Sequence, residues 1–159
     1  MMLLHAPILE TRTVIWPDEA ACAAWAGALG TKPSLRDAHI DLHGPLGAGK
    51  TTFVRHLLCA LGVQGRIKSP TYTVLEPYTL PGLDILHFDF YRFNHASEWD
   101  DAGFRDLFAQ PGLKLCEWPE RAAGRLPAAD LQLHIEPLDG DARRVTLHAG
   151  SALGLGLLA

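Results

Sequence analysis

The chain has 159 residues, 48% hydrophobic and 20% charged, with a formal net charge of -4. That length and balance describe one folded domain with its own core and exclude a disordered chain. The acidic balance also argues against a protein that grips nucleic acid by itself, because phosphate backbones are held by a basic footprint.

The opening "MMLLHAPILE" has no basic start and its apolar run is cut by Pro7, so it makes a poor secretory signal. Residues 1–10 read as a peripheral tail. "WPDEAACAAWAGALG" predicts a helix, with Pro17 in its first turn, Asp18 and Glu19 next, and Gly30 at its close. Cys22 shares helical spacing with Trp25, Ala26 and Leu29, which makes it a small buried hydrophobe. The three cysteines, Cys22, Cys59 and Cys116, are far apart and form no CxxC. They fit a reduced cytoplasm better than a disulfide framework.

"AHIDLH" predicts a short strand, and "HGPLGAGKTTF" follows it. Beyond that glycine loop, Phe53, Val54, Leu57, Leu58 and Leu61 recur at helical spacing until Gly62, so a helix starts near Lys50. "TVLEPYTL" and "DILHFDFYR" predict a hairpin turning at Pro81-Gly82, with Pro77 placing the first strand at an edge. "HASEWDDAGFRDLF" is helical in part, "GLKLCEW" is a strand, and "PERAAGRL" is a short helix begun by proline.

Two clear strands end the chain. Leu131, Leu133 and Ile135 alternate with polar residues, as do Val145 and Leu147, and Asp139-Gly140 supplies the turn. The alternation implies one wet face, hence antiparallel strands flanking a more buried centre, with His134 and His148 solvated on that face. The tail "ALGLGLLA" is far shorter than the ~20 residues a membrane span needs. Residues 150–159 therefore read as a frayed or docked end. Residues 1–159 form one α/β domain without repeat or linker.

Gly44, Gly49, Lys50 and Thr51 meet the pattern G-x-x-x-x-G-K-[ST]. Glycines let a backbone curl so that its N–H groups form an anion nest, and the next helix aims its positive end at the same phosphates. Leu46, Gly47, Ala48, Gly49, Lys50, Thr51 and Thr52 are the expected nucleotide contacts. Lys50 reaches the terminal phosphates and the Thr51 hydroxyl ligates Mg²⁺.

Mg²⁺ needs acids opposite the loop. Asp89 ends the apolar strand "ILHFD", and Glu117 closes "LKLCE" in the same way. Ligands of open α/β sheets sit at the carboxyl ends of strands, so both acids can face one crevice. His87, two residues before Asp89, is placed to support it from behind. In "KSPTYT", residues 68–73, Thr71 offers a hydroxyl that can hold the metal or γ-phosphate and let go after hydrolysis. Eight histidines invite a further metal site, but no HExxH or Cys/His spacing is present.

Four segments, "GPLGAGKTTFVR", "SPTYTVLEPY", "HFDFYR" and "EWPER", stand in an order and spacing that resembles the bacterial ATPase family called TsaE or YjeE. The resemblance covers about residues 17–149. It implies a small P-loop NTPase-like three-layer α/β fold, with central parallel strands flanked by antiparallel ones. It implies ATP and Mg²⁺ as cofactors, with Lys50 and Thr51 on phosphate and metal, and Thr71 in a switch-like segment. Asp89 and Glu117 take the metal-side and catalytic positions, with Trp118 an aromatic beside them.

The family serves threonylcarbamoyladenosine synthesis in tRNA. Its members work with a sugar-kinase-like transferase (TsaD-like) and its inactive paralogue (TsaB-like), and ATP hydrolysis is thought to reset that assembly. tRNA is then met through the complex, and no membrane is involved. Pro45 departs from the polar residue common at its position, and adenine contacts stay unassigned.

The rival reading is a small-molecule kinase, which needs lid arginines such as Arg92, Arg121 and Arg125. A GTPase is disfavoured because no Asn-Lys-x-Asp occurs. A nucleotide-gated binding module differs from the favoured view mainly in turnover. Slow intrinsic ATPase activity, raised by the partner complex, is the expectation.

Overall fold

The computed structural model describes residues 7–159. Most of the N-terminal tail, residues 1–6, lies outside them. Seven strands form one sheet in the order β1-β7-β6-β2-β5-β4-β3. They are β1 (Glu10–Trp16), β2 (His39–His43), β3 (Leu75–Leu80), β4 (Leu83–Asp89), β5 (Leu113–Glu117), β6 (Leu131–Pro137) and β7 (Arg143–Ala149). The helices are α1 (Glu19–Gly30), α2 (Lys50–Leu61), α3 (Ser97–Asp101), α4 (Phe104–Ala109) and α5 (Ala152–Leu158). Among these described residues, no helix is long and apolar enough to cross a membrane.

β6, β2, β5 and β4 run parallel, while β7, β1 and β3 add on antiparallel. The expected architecture is present, with one refinement. β6 was expected among the antiparallel flanks, yet its other edge pairs parallel with β2, so the last hairpin is half core and half flank. Pro77 does lie on an edge strand, β3, where its missing N–H costs no ladder bond.

β1 was not expected as a strand. Its Thr11, Thr13, Val14 and Ile15 are β-branched, a weak strand signal, and β7 supplies the edge that fixes it.

Side chains divide between two cores. Ile40, Leu42, Ile85, Leu113, Leu115, Leu131, Leu133, Val145 and Leu147 face α1 and α2, where Phe53, Val54, Leu57 and Leu58 pack on them. The opposite face buries Phe88, Phe90, Trp99, Phe104 and Cys116 under α3, α4 and the 3-10 turn 119–122. Helices on both faces make three layers.

Local chemistry sets the ends. Asp18 is the N-cap of α1, accepting from Ala21 N at 2.9 Å, so Pro17 precedes the helix instead of opening it. Gly30 stays helical and Thr31 closes the turn, its hydroxyl donating to the Ala28 carbonyl at 2.7 Å. The segment expected to be helical in part is divided by Gly103, at φ 74, into α3 and α4. The apolar tail is docked: Leu157 and Leu158 of α5 join the core beside β7.

Candidate functional site

The glycine loop leaves β2 at His43 and enters α2 at Lys50. Gly44 makes the exit, at φ 151. A Cβ there would sit 2.5 Å from the Ile135 carbonyl oxygen and 3.1 Å from Ala48 Cβ. Gly44→Ala is therefore expected to destabilise the fold by about 2 kcal/mol. Thermal melting should then fall by roughly 4–8 °C for a domain this size. Gly49, the N-cap of α2, has φ 108 and offers no side-chain cap, so the first helical N–H groups lack an intrahelical partner.

Lys50 is 5% exposed. Its ammonium donates to the Gly44 carbonyl and lies 3.7 Å from the Trp118 ring centroid, a cation–π contact. Burial pushes the Lys50 pKa down, while Glu117, Glu120 and Asp89 pull it up. Trp118 itself sits at φ 55, a left-handed conformation that bulky residues rarely adopt. Strain of this kind clusters where a side chain must be aimed.

Asp89 and Glu117 end the neighbouring strands β4 and β5 in direct register. Both are buried, at 4% and 2% exposure. Thr51 Oγ1 donates to Glu117 Oε1 at 2.8 Å and also lies 3.0 Å from Oε2, bridging the loop helix to β5. His87 Nε2 meets Glu117 Oε2 at 2.6 Å, and its Nδ1 is buried with no partner among the described residues. The expected support from behind is thus real, but it goes to Glu117 and not to Asp89. Asp89 accepts from Tyr91 N at 2.9 Å, and burial raises its pKa.

Thr71 Oγ1 lies 3.4 Å from Asp89 Oδ2 and 2.8 Å from Ser69 Oγ. The segment closes on itself through Val74 N to the Pro70 carbonyl at 2.7 Å. Val74 takes φ 68, a costly conformation for a β-branched residue.

These groups line one cleft of about 270 Å³. The expected phosphate, metal-side and aromatic residues border it: Leu46, Gly47, Ala48, Gly49, Lys50, Thr51, Thr52, Thr71, Asp89, Glu117 and Trp118. Tyr91 was missed; its ring packs 4.9 Å from that of Trp118. The β-rich run continues through "FYR" in the sequence, but the strand ends at Asp89 and the chain turns Tyr91 into the cleft.

Across the loop lies a second cleft of about 210 Å³, bordered by Trp16, Asp18, Cys22, Thr52, Asp141 and Arg143. Arg143 Nε donates to the Ala48 carbonyl at 2.8 Å. Trp16 stacks on Phe53, and its indole nitrogen is buried without a partner among the described residues. Cys22 is buried as expected, and burial pushes its thiol up to about 11.

On the opposite sheet face His134 is half-buried. Its ring stacks on His43 at 4.3 Å with planes 5° apart, and meets His148 edge-on at 5.0 Å. His148 is in turn hydrogen-bonded to Thr11 at 3.0 Å. His134 and His148 keep part of their surface on the wet face, while β1 and β2 bring polar neighbours alongside that alternation cannot reveal. Burial, then His43 and His148, push the His134 pKa down to about 4, against the pull of Asp41.

The unfolded chain therefore binds more protons between roughly pH 6.5 and 4. Stability should fall as pH drops through that window and level off below it. Melting temperature recorded from pH 7.5 to 4 checks this, and His134→Asn should flatten the slope.

A strand, a glycine loop and a helix that present a buried lysine to two strand-end acids place the chain in the P-loop fold class. The family model described as threonylcarbamoyl adenosine biosynthesis protein TsaE matches residues 16–145. The TsaE protein of Haemophilus influenzae is 44% identical over 119 residues, 75% of each chain. That of Bacillus subtilis is 36% identical over 141 residues, 89% of this chain and 85% of its own. The crystal structure of YdiB from Bacillus subtilis superposes with a TM-score of 0.76 at 26% identity, covering 94% of this chain and 92% of that one. The chain belongs to the TsaE family of tRNA threonylcarbamoyladenosine biosynthesis proteins.

Proposed function

We propose that the protein binds ATP with Mg²⁺ in the cleft between the glycine loop and the β4 and β5 ends, and hydrolyses it slowly. The observation that carries this is the meeting of Thr51, Asp89 and Glu117, one hydroxyl and two carboxylates, directly beside Lys50. That all-oxygen donor set suits a hard cation such as Mg²⁺. When bound, Mg²⁺ would neutralise charge on the phosphate oxygens.

The remaining steps belong to the chain. Lys50 supplies positive charge to the terminal phosphates, and the loop N–H groups hold them in place. Glu117, fixed by Thr51 and His87, orients a water and takes its proton on a carboxylate oxygen. Thr71, beside Asp89 in a strained segment, releases when the γ-phosphate is lost. The adenine rests in the cleft across the loop, against the side chains of Trp16 and Arg143 that border it.

The turnover serves a protein complex: a TsaD-like transferase with a TsaB-like paralogue, reset once per round and meeting tRNA indirectly. Family membership and the acidic net charge support that assignment.

The kinase reading is weakened by its own arginines. Arg125 Nε donates to Asp100 at 2.8 Å, Arg92 stacks on Tyr72 at 4.2 Å, and Arg121 reaches the Phe93 carbonyl at 3.4 Å. Phosphate release from Mg²⁺-ATP should be slow for the purified chain and rise on adding the two-protein complex. Rapid phosphoryl transfer to a small metabolite, without those partners, would install the kinase in its place.

A further inference from the structure

His39, Asp41 and Cys116 meet on the sheet face opposite the loop helix. His39 and Asp41 are two apart on β2 and so share that face. Cys116 stands directly across from Asp41 in the parallel pairing of β2 with β5. His39 Nε2 lies 2.7 Å from Asp41 Oδ1 and 3.6 Å from Cys116 Sγ. The three donor atoms are all within 4.8 Å of one another. His39 and Asp41 are 7% exposed and Cys116 fully buried, with the Phe108 ring of α4 packed 5.2 Å from that of His39.

Carboxylate and thiol approach the same ring nitrogen. A Cys-His-Asp relay for nucleophilic catalysis uses the two opposite nitrogens, so this trio is not one. Three donors this close together can hold a cation. We propose that His39 Nε2, the Asp41 carboxylate and Cys116 Sγ bind a single zinc ion, apart from the nucleotide cleft.

Distance, charge and donor type agree. Tetrahedral zinc, with Zn–N near 2.0–2.1 Å and Zn–S near 2.3 Å, separates nitrogen and sulfur by about 3.6 Å. The Asp41 oxygen has to draw back from hydrogen-bond length to about 3.4 Å from Nε2 as the ion enters. Thiolate and carboxylate bring two negative charges into a dry site, and a divalent cation cancels both. Sulfur and imidazole select zinc over magnesium, whereas the oxygen set of Thr51, Asp89 and Glu117 selects the reverse. Water supplies the fourth position through the small exposed edge of His39 and Asp41. The ion ties β2, which delivers the loop, to β5, which delivers Glu117.

Cobalt(II), a coloured stand-in for zinc, is titrated into the chelator-treated full chain without nucleotide. One equivalent should produce sulfur-to-cobalt charge-transfer absorption in the near ultraviolet. One equivalent of Zn²⁺ should abolish it and excess Mg²⁺ should leave it intact. The band should persist in a Cys22→Ser/Cys59→Ser double variant and vanish in Cys116→Ser. Zinc should also raise the melting temperature of the parent chain but not of Asp41→Asn. No band in the parent chain, or a band that survives Cys116→Ser, overturns the proposal. Lys50→Ala should keep the band, so failure here is separable from failure of the ATP site.

Discussion

Replacing Lys50 by alanine is expected to weaken ATP binding by roughly 10- to 100-fold. A charge-assisted hydrogen bond to phosphate contributes about 1.5–3 kcal/mol, and each 1.4 kcal/mol is a decade of affinity. The fold should survive. Lys50 is a buried ammonium whose desolvation works against stability, so its loss offsets the missing contacts to Gly44 and Trp118. Calorimetric titration with Mg²⁺-ATP, paired with a melting curve, separates the two effects. An unchanged dissociation constant would remove Lys50 from the phosphate site.

Glu117→Gln should behave differently. The amide keeps the size of the side chain and an oxygen that accepts from Thr51, so affinity for Mg²⁺-ATP should stay within about fivefold. Hydrolysis should fall about 100-fold or more, because the group that takes the proton from water is gone. Single-turnover phosphate release measures this directly. If the variant lost binding as severely as Lys50→Ala and kept its rate on bound ATP, Glu117 would be a binding residue and the hydrolytic role would pass to Asp89. The contact from His87 Nε2 to Glu117 makes the carboxylate position stiff, so small misplacements should also show in rate before affinity.

Much of the cleft proposed for the nucleotide was legible in the sequence because its parts are local. A strand that ends in glycines and opens a helix is written in consecutive residues 39–61. The hairpin at Pro81-Gly82 and the acid closing each apolar run are equally local, and adjacent parallel strands then bring Asp89 and Glu117 together. What lies at strand ends on one side of a parallel sheet is a topological consequence, so two acids that each close an apolar run meet in one crevice.

The rest depends on partners far along the chain. Nothing near Glu10–Trp16 shows that β7 waits to pair with it, and so neither β1 nor the Trp16 cleft was visible. The stack of His43, His134 and His148 comes from strands β2, β6 and β7, where alternation alone suggested solvent. His39 and Cys116 are 77 residues apart and match no ligand spacing, yet strand register places them 3.6 Å apart. The sequence by itself determined the phosphate loop, its helix and the two acids, since propensity and periodicity act over a few residues. Tertiary structure alone decided which polar side chains meet across the sheet, because register is set by burying both cores at once.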